Sequence, residues 1–270
     1  YDLTWGGNAA TKEAAEYYYT GGVLDHLVGS LKESTYTFAQ ARDLSIQAMR
    51  NQLEYVTSST KTSISHIIGT FGNVIWDDEK FIAVGNDNTG IATSSDGVTW
   101  TSVPSANIEG GIPNLNDVLF NKWAVGERGV PEYIAVGQTG VVFTSNDGFN
   151  WYKKQGATSN DLNAVAYDGT TYVIVGDKTT NTGGPTIQHS QNTNSWTLAS
   201  NTNSLGSGQN LYDVIYNDDY DAFYAVGDAG LIVKSTDSGV TWTKLESGTT
   251  SNIRSISWHE GVMVAGADRA

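Results

Sequence analysis

Four short stretches of the chain combine a hydroxyl, a carboxylate or amide, and an indole at a spacing that could serve catalysis. They are SSDGVTW from Ser94, SNDGFNW from Ser145, SQNTNSW from Ser190 and STDSGVTW from Ser235. A serine close to an acid is a starting point for a nucleophilic site. The same residues also suit a turn, because an Asp side chain accepts N–H groups of its own loop and glycine tolerates positive φ.

Recurrence decides between these two interpretations. The tryptophans that close the stretches follow one another at intervals of 45 to 51 residues. One chain rarely needs the same catalytic loop four times, so we predict a structural role for the motif and no catalytic residue within it. The residues assigned this role are Ser94, Asp96, Gly97 and Trp100; Ser145, Asp147, Gly148 and Trp151; Ser190, Asn192 and Trp196; and Ser235, Asp237, Gly239 and Trp242.

Two further patterns keep the same period. An apolar run ends at Gly85, Gly137, Gly176, Gly227 and Gly266, and NVIW, DVLF, AVAY, DVIY or SISW precedes each run. Short runs rich in Val, Ile, Tyr and Phe, separated by Gly and Asp turns, predict four strands per repeat in an antiparallel meander. Repeats of this kind predict a β-propeller, in which neighbouring blades cover both faces of each sheet.

The predicted fold class is therefore all-β, with a propeller over residues 61–270. It has four complete four-stranded blades and two strands of a fifth, and the tryptophan of each turn begins the outer strand. In the second repeat the strands are expected at 116–120, 133–138, 140–145 and 150–154. Because two strands do not complete a blade, we expect an open ring and further blades in a longer chain.

Residues 1–60 predict an α-helical connector instead. Helix-forming residues with apolar positions at helical spacing run from Ser34 to Val56, and a shorter helix is expected from Thr11 to Tyr19. The chain begins at Tyr1 and not at Met, so we expect it to be part of something longer.

Composition excludes several functions. The net charge of −14 argues against nucleic acid as a partner, since phosphate binding needs clustered Lys and Arg. No apolar run is long enough for a membrane span. There is no cysteine, which excludes thiolate metal sites and disulfides. The histidines (His26, His66, His189 and His259) lack ligand spacing, so neither a metal nor a cofactor is expected.

The repeated turn resembles the Asp box, or BNR repeat, of sialidases, photosystem assembly factors and many secreted or viral propellers. The resemblance covers roughly residues 66–270 and implies that the boxes fold the blades and do not catalyse. The third copy departs from the pattern, with Asn192 for Asp and Thr193 for Gly. A sialidase-like site would need an arginine cluster, whereas this portion contains Arg128, Arg254 and Arg269 alone. A glycosidase that uses two carboxylates stays open.

The start of the chain carries a second resemblance. YDLTWGGNAATKEAAEYYYTGG and FAQARDLSIQAMRNQ, within residues 1–52, resemble a helical segment in large virion proteins of contractile-tailed phages of marine cyanobacteria. The resemblance implies a location in the virion, at the particle surface or tail. Its implied partners are other virion proteins, copies of the chain itself, or a glycan or protein of the host surface.

The predicted function is a virion structural or interaction protein, not an enzyme: a tail fibre or particle-decorating adhesin that mediates assembly or host attachment. The alternatives are a glycan hydrolase with a sialidase-like propeller and a binding propeller like the photosystem assembly factors. Two insertions, at residues 121–132 and 177–186, interrupt the repeat, and such loops often carry binding. Trp123 beside Glu127 and Arg128 is the candidate binding site, and a decoration without function is the alternative.

Overall fold

The computed structural model describes residues 5–6, 35–36, 70–86, 90–122, 133–179, 183–259 and 261–269. The chain divides into two compact units, Tyr1–Ser65 and His66–Ala270. In the first unit, β1 (Trp5–Gly6) pairs with β2 (Thr35–Tyr36) in a short antiparallel ladder.

This ladder corrects the helix predicted from Ser34. Thr35 and Tyr36 are extended and paired, in keeping with the preference of β-branched and aromatic residues for strands. The remainder of that predicted helix and the one expected at 11–19 lie outside the described residues. The helical connector therefore stays a prediction.

The described part of the second unit is built from antiparallel sheets whose strands follow chain order, here numbered as blades. Blade 1 contains β3 (Thr70–Trp76), β4 (Phe81–Asn86), β5 (Ile91–Ser94) and β6 (Thr101–Ser102). Blade 2 contains β7 (Leu115–Phe120), β8 (Tyr133–Gly137), β9 (Val141–Ser145) and β10 (Tyr152–Gln155). Blade 3 contains β11 (Leu162–Tyr167), β12 (Tyr172–Lys178), β13 (Pro185–Ser190) and β14 (Thr197–Leu198).

Blade 4 contains β15 (Leu211–Asn217), β16 (Ala222–Gly227), β17 (Ile232–Ser235) and β18 (Thr243–Leu245). Blade 5 contains β19 (Ile253–His259) and β20 (Val262–Ala267). The predicted all-β fold of four complete blades and part of a fifth is thus confirmed, including the blade with the altered turn.

Two predicted boundaries are wrong. The outer strand of each complete blade begins one residue after the tryptophan, as at Thr101 and Tyr152, because the indole is held inside the preceding turn. The insertion expected at 177–186 is shorter, since both of its ends belong to β12 and β13. The ladder continues past a bulge to pair Lys178 with Pro185.

The innermost strand of every blade carries a bulge near its start. In blade 2, for example, the register shifts between Leu115 and Asp117, and the other four blades shift at the same position. Consecutive innermost strands contact one another. Since a bulge redirects the side chains beside it, this position decides what faces the neighbouring blade.

The core lies between the blades. Ile82 and Val84 of blade 1 pack with Val118, Tyr133 and Trp151 of blade 2 in one buried cluster. Equivalent clusters join blades 2 and 3, 3 and 4, and 4 and 5. Each interior sheet is therefore covered on both faces by its neighbours.

The glycines that end the second strands have a steric cause. A Cβ at Gly137 would lie 2.0 Å from the carbonyl oxygen of Asn114, and one at Gly227 would lie 1.9 Å from that of Asn210. The segment that leads into the innermost strand crosses the end of the second strand at this point. Any side chain would push the two segments apart.

Candidate functional site

The four serine-to-tryptophan turns follow the third strand of each complete blade. In the first turn, one carboxylate oxygen of Asp96 accepts the main-chain N–H groups of Val98 and Thr99 at 2.8 and 2.7 Å. These bonds favour the ionised form and lower the pKa of Asp96 to about 2. The Ser94 hydroxyl donates to Asp96 and accepts the N–H of Gly97, each at 2.9 Å.

The bonds of the serine hydroxyl recur in the second and fourth turns. Ser145 donates to Asp147 at 3.0 Å, and Ser235 donates to Asp237 at 2.8 Å. All four serines of the motif are buried. Each hydroxyl accepts a main-chain N–H at the position of the glycine. A serine hydroxyl used in this way stabilises its own turn.

The third turn keeps the geometry with weaker groups. The amide oxygen of Asn192 accepts the N–H groups of Asn194 and Ser195 at 3.0 and 3.2 Å. Thr193 replaces glycine and still adopts a φ of 58°. Within the described part of the chain, the indole N–H of Trp196 is buried without a hydrogen-bond partner. This turn is thus held by longer or missing bonds.

The tryptophans of the second and fourth turns are fixed in the core. Trp151 and Trp242 are 1% and 2% exposed. Their indole N–H groups donate to the carbonyl oxygens of Gly148 and Gly239 at 3.1 and 3.0 Å. The rings close the turns and fill the space between blades.

Two acids of the innermost strands, which sequence reasoning missed, bind the main chain of the following blade. Oδ2 of Asp117 in blade 2 accepts the N–H of Val165 in blade 3 at 2.8 Å, and Oδ2 of Asp213 in blade 4 accepts that of Ile256 in blade 5 at 2.8 Å. Burial raises the pKa of Asp117 to about 6 and also raises that of Asp213. Part of the Asp117 side chain nevertheless remains accessible to solvent.

A raised carboxyl pKa is a property of general acids, but the geometry of Asp117 favours another role. Its second oxygen accepts the N–H of Val118 at 2.8 Å and the side-chain amide of Asn73. Together, the two oxygens therefore bind groups of blades 1, 2 and 3. In the sequence these two acids are the first residues of DVLF and DVIY, and this recurrence could have pointed to them. The same position in AVAY of blade 3 is Ala164.

A cavity of about 690 Å³ lies at the ends of the innermost strands of blades 2, 3 and 4. Its apolar wall comes from those strands, and its polar rim comes from the turns that follow them. None of the described residues that line it is basic. We name it the Tyr–Asp cavity. Its lining consists of Leu119, Val165, Ala166, Tyr167, Asp168, Gly169, Val214, Ile215, Tyr216 and Asp218.

The electrostatics of the Tyr–Asp cavity are acidic. The Tyr216 hydroxyl donates to Asp221 at 2.8 Å. This bond, partial burial, and the negative charges of Asp221, Asp168 and Asp218 raise the pKa of Tyr216 to about 12. Asp168 is fixed in its turn by the N–H of Thr171 at 2.6 Å. The phenol thus stays neutral beside several carboxylates, an arrangement that attracts a cation.

The candidate site predicted from the insertion was Trp123 with Glu127 and Arg128, and it lies outside the described residues. Its binding role stays a prediction. The insertion leaves β7 at Asn121, whose buried side chain donates to the hydroxyl of Tyr172 at 2.7 Å. Asn121 is two residues beyond Leu119 of the Tyr–Asp cavity, so the insertion departs from the edge of that cavity.

Across the described residues, no group of three or more acids and histidines is placed to hold a metal ion. Among the same residues, no helix has the length and apolarity needed to cross a membrane.

No protein-family model and no curated protein matches the chain. Among solved structures it is similar to YCF48 from Cyanidioschyzon merolae, with a TM-score of 0.51 and 19% identity over 75% of this chain and 66% of that chain. It is also similar to the GH74 enzyme of Niastella koreensis, with a TM-score of 0.52 and 15% identity over 70% of this chain and 31% of that chain. Both are β-propeller proteins, and the likeness shows the fold.

Proposed function

We propose that this chain is a non-catalytic binding propeller of a virion, and that the Tyr–Asp cavity receives a basic side chain of a partner protein. The observation that carries the proposal is the combination of an apolar wall, two tyrosines and an acidic rim in one cavity. Such a cavity offers each part of an arginine or lysine a matching surface.

The match can be stated part by part. The aliphatic stem of the partner residue would pack against Leu119 and Val214, and its cation would meet Asp168 and Asp218. The ring of Tyr216 adds a cation–π contact. Each such contact contributes about 1 kcal/mol or less at a partly exposed site. Stable docking therefore needs further contacts, and we expect the insertion that follows Asn121 to contribute to them.

The overall charge supports the same partner chemistry. A net charge of −14 speeds encounter with a basic surface and opposes an acidic one. Salt should therefore slow association more than it speeds dissociation. Stopped-flow binding at several ionic strengths would measure this directly.

The location in a virion is supported by the resemblance of residues 1–52 to virion segments of tailed phages. A basic partner would then be another virion protein, a second copy, or a protein of the host surface. Mass spectrometry of purified particles tests the location. Peptides of this chain should be recovered from washed particles at a constant ratio to the tail proteins.

A pair of neighbouring acids allows a matched test of the cavity. Both are exposed, and Asp218 lines the cavity whereas Asp219 does not. Asp218→Asn and Asp219→Asn change the net charge equally. We expect the affinity for a fluorescent peptide with two adjacent arginines to fall at least about threefold in the first variant and to stay near the wild-type value in the second.

The ligand side has its own control. A peptide with citrulline in place of arginine keeps the shape and loses the charge, and it should not bind. Equal affinities of Asp218→Asn and Asp219→Asn would show that the peptide senses only the overall charge, and the cavity assignment would be wrong.

A glycan hydrolase is the second candidate, and the raised pKa of Asp117 is the observation that favours it. Release of reducing sugar from glycans that the protein binds would test it. If release stopped in a folded Asp117→Asn variant, the non-catalytic proposal would be overturned. A third possibility is a binding propeller like the photosystem assembly factors, which affinity capture from photosynthetic membranes would reveal.

A further inference from the structure

Long connections cover the outer strands of blades 2 and 4. They span residues 103–114 and 199–210, whereas the connection before blade 3 spans residues 156–161. In each long connection a short 3₁₀ turn is followed by an aliphatic residue, Ile108 or Leu205, that is at most 4% exposed. Both residues belong to the buried clusters between the two blades that the connection joins. An aliphatic side chain of the connection thus fills the outer part of each of these interfaces.

The same connections bind the main chain of the motif tryptophans. The main-chain N–H of Trp151 donates to the carbonyl oxygen of Asn107 at 2.8 Å, and its carbonyl oxygen accepts the N–H of Glu109 at 3.0 Å. In blade 4, the side-chain amide of Asn201 donates to the carbonyl oxygen of Trp242 at 2.7 Å and accepts its main-chain N–H at 3.0 Å. Both blades therefore use an asparagine and an aliphatic residue to cover the outer edge.

Blade 3 has the same edge without such a cover in the described part of the chain. There the main-chain N–H and C=O groups of Trp196 and its buried indole N–H have no hydrogen-bond partner. The short connection is held elsewhere, because the N–H of Ala157 donates to Oε1 of Gln188 and the amide of Asn160 donates to Thr186. It therefore does not reach the tryptophan.

The space beside this edge is a groove between blades 2 and 3, which we name the outer groove. Leu198 pairs with Gln188, which pairs with Ile174 of the cluster between these blades, so all three face blade 2. Leu198 is 45% exposed, whereas Gln188 is fully buried and its Nε2 has no partner among the described residues. On blade 2, Lys154 reaches the turn of blade 3, and Tyr152 on the same face is 57% exposed.

We propose that the outer groove binds an extended segment of a partner protein in which an asparagine precedes an aliphatic residue, as Asn107 precedes Ile108. The aliphatic side chain packs between Leu198 and Tyr152, and the asparagine bonds to the main chain of Trp196. The two long connections show that this chemistry fits the equivalent places of the fold. Polar groups left unpaired at the edge favour a ligand that satisfies them.

The occupant is assigned to a partner because the chain uses its equivalent segment differently. In the other two interfaces the preceding connection fills the groove, whereas residues 156–161 are bonded to β13. The outer groove shares no residue with the Tyr–Asp cavity, so this proposal does not depend on the function proposed for that cavity.

A peptide copied from the first long connection, residues 104–111 with blocked ends, is the probe. Because it is short, its dissociation constant for the 270-residue chain should be on the order of 1 mM. In a titration followed by ¹⁵N NMR, the main-chain and indole N–H signals of Trp196 should shift. The indole signals of Trp151 and Trp242, which donate within their own turns, should stay in place. A Trp196→Phe variant identifies the indole signal.

Matched changes on both sides sharpen the test. Leu198→Asp, or a peptide with Ile108→Asp, should weaken binding at least about tenfold, because a carboxylate would meet an apolar surface. Val240→Asp adds the same charge at another exposed valine and should leave the affinity unchanged. Unshifted Trp196 signals at about 5 mM peptide, or wild-type affinity of Leu198→Asp, would overturn the proposal. So would NMR contacts in the free wild type between Leu198 and residues 1–65 or 123–132, because the chain itself would then fill the groove.

Discussion

Oδ2 of Asp117 lies 2.8 Å from the main-chain N of Val165, so a side chain of blade 2 accepts a main-chain N–H beside the bulge of blade 3. Blade 3 cannot repeat this bond, because Ala164 stands at the position of the acid. The amide of Asn163 donates to the carbonyl oxygen of Leu211 at 2.8 Å, as the amide of Asn116 donates to that of Leu162 between blades 2 and 3. Blades 2 and 3 are therefore joined by an acid and an amide, whereas blades 3 and 4 keep the amide bond and lose the acid.

The raised pKa of Asp117 predicts a dependence of stability on pH. Its ordinary value is 3.8, and burial raises it to about 6 in the folded chain. Between these values the folded state binds the proton more tightly, so the free energy of unfolding should fall as the pH rises from about 4 to about 6. The shift corresponds to about 2–3 kcal/mol. Urea denaturation across this range measures it.

Asp117→Asn removes the titrating group, so the difference between wild type and variant should change across that window and stay constant above it. Asp96 is the control, because its pKa is lowered to about 2 by main-chain N–H bonds. Its stabilising effect is present above about pH 4 and is lost as the pH falls towards 2. Parallel stability curves for wild type and Asp117→Asn between pH 4 and 6 would contradict the assignment.

Different burial predicts unequal contributions to stability from equivalent tryptophans. Trp151 is buried between blades 1 and 2, whereas Trp100 is partly exposed on blade 1. Trp151→Ala should lower the free energy of unfolding by about 3–5 kcal/mol, as loss of a buried aromatic side chain does. Trp100→Ala should cost roughly half as much. Chemical denaturation of both variants checks this, and equal losses would argue that Trp100 is buried as deeply as Trp151.

Alanine substitutions at two glycines with the same backbone conformation distinguish the cost of backbone strain from the cost of steric overlap. Gly230 and Gly248 have φ of 74° and 73°. A Cβ at Gly230 would lie 2.0 Å from the carbonyl oxygen of Thr249, whereas one at Gly248 would meet nothing within 4 Å. Gly248→Ala should therefore cost about 1–2 kcal/mol from conformation alone, and Gly230→Ala should cost clearly more. Thermal unfolding of both variants measures the difference, and similar losses would show that the loop at Thr249 yields.

The repeat and its strands could be predicted because the same residue pattern recurs in five successive blades. The glycine at Gly137 was visible as a recurrent residue, although its cause, the nearby carbonyl oxygen of Asn114, depends on how the chain crosses itself. The bonds of Asp96 within its own turn could also be anticipated, since they join residues close in sequence. Local chemistry of this kind is carried by the sequence pattern.

The contacts between blades could not be predicted in the same way. Asp117 and Val165 are separated by a full repeat, and the sequence does not show which oxygen faces which strand. The Tyr–Asp cavity has the same origin, because Leu119, Tyr167 and Tyr216 come from three repeats. Their convergence follows from the stacking of blades. The insertion at residues 121–132 could be recognised in the sequence because it interrupts the repeat. The cavity residues Leu119, Tyr167 and Tyr216 lie within the regular repeat and do not stand out.

The altered third turn offers the last prediction. Asn192 accepts two N–H groups at 3.0 and 3.2 Å, whereas Asp96 accepts the equivalent groups at 2.8 and 2.7 Å. A carboxylate forms shorter, charge-assisted bonds, so Asn192→Asp should raise the free energy of unfolding at pH 7 by about 0.5–1 kcal/mol. The gain should be present above about pH 4 and should decline as the pH falls below that value towards the lowered pKa of the new acid. Gln191→Glu adds the same charge at the exposed neighbouring position and should bring no gain. Equal effects of the two variants in urea denaturation would show that the turn bonds are not the cause.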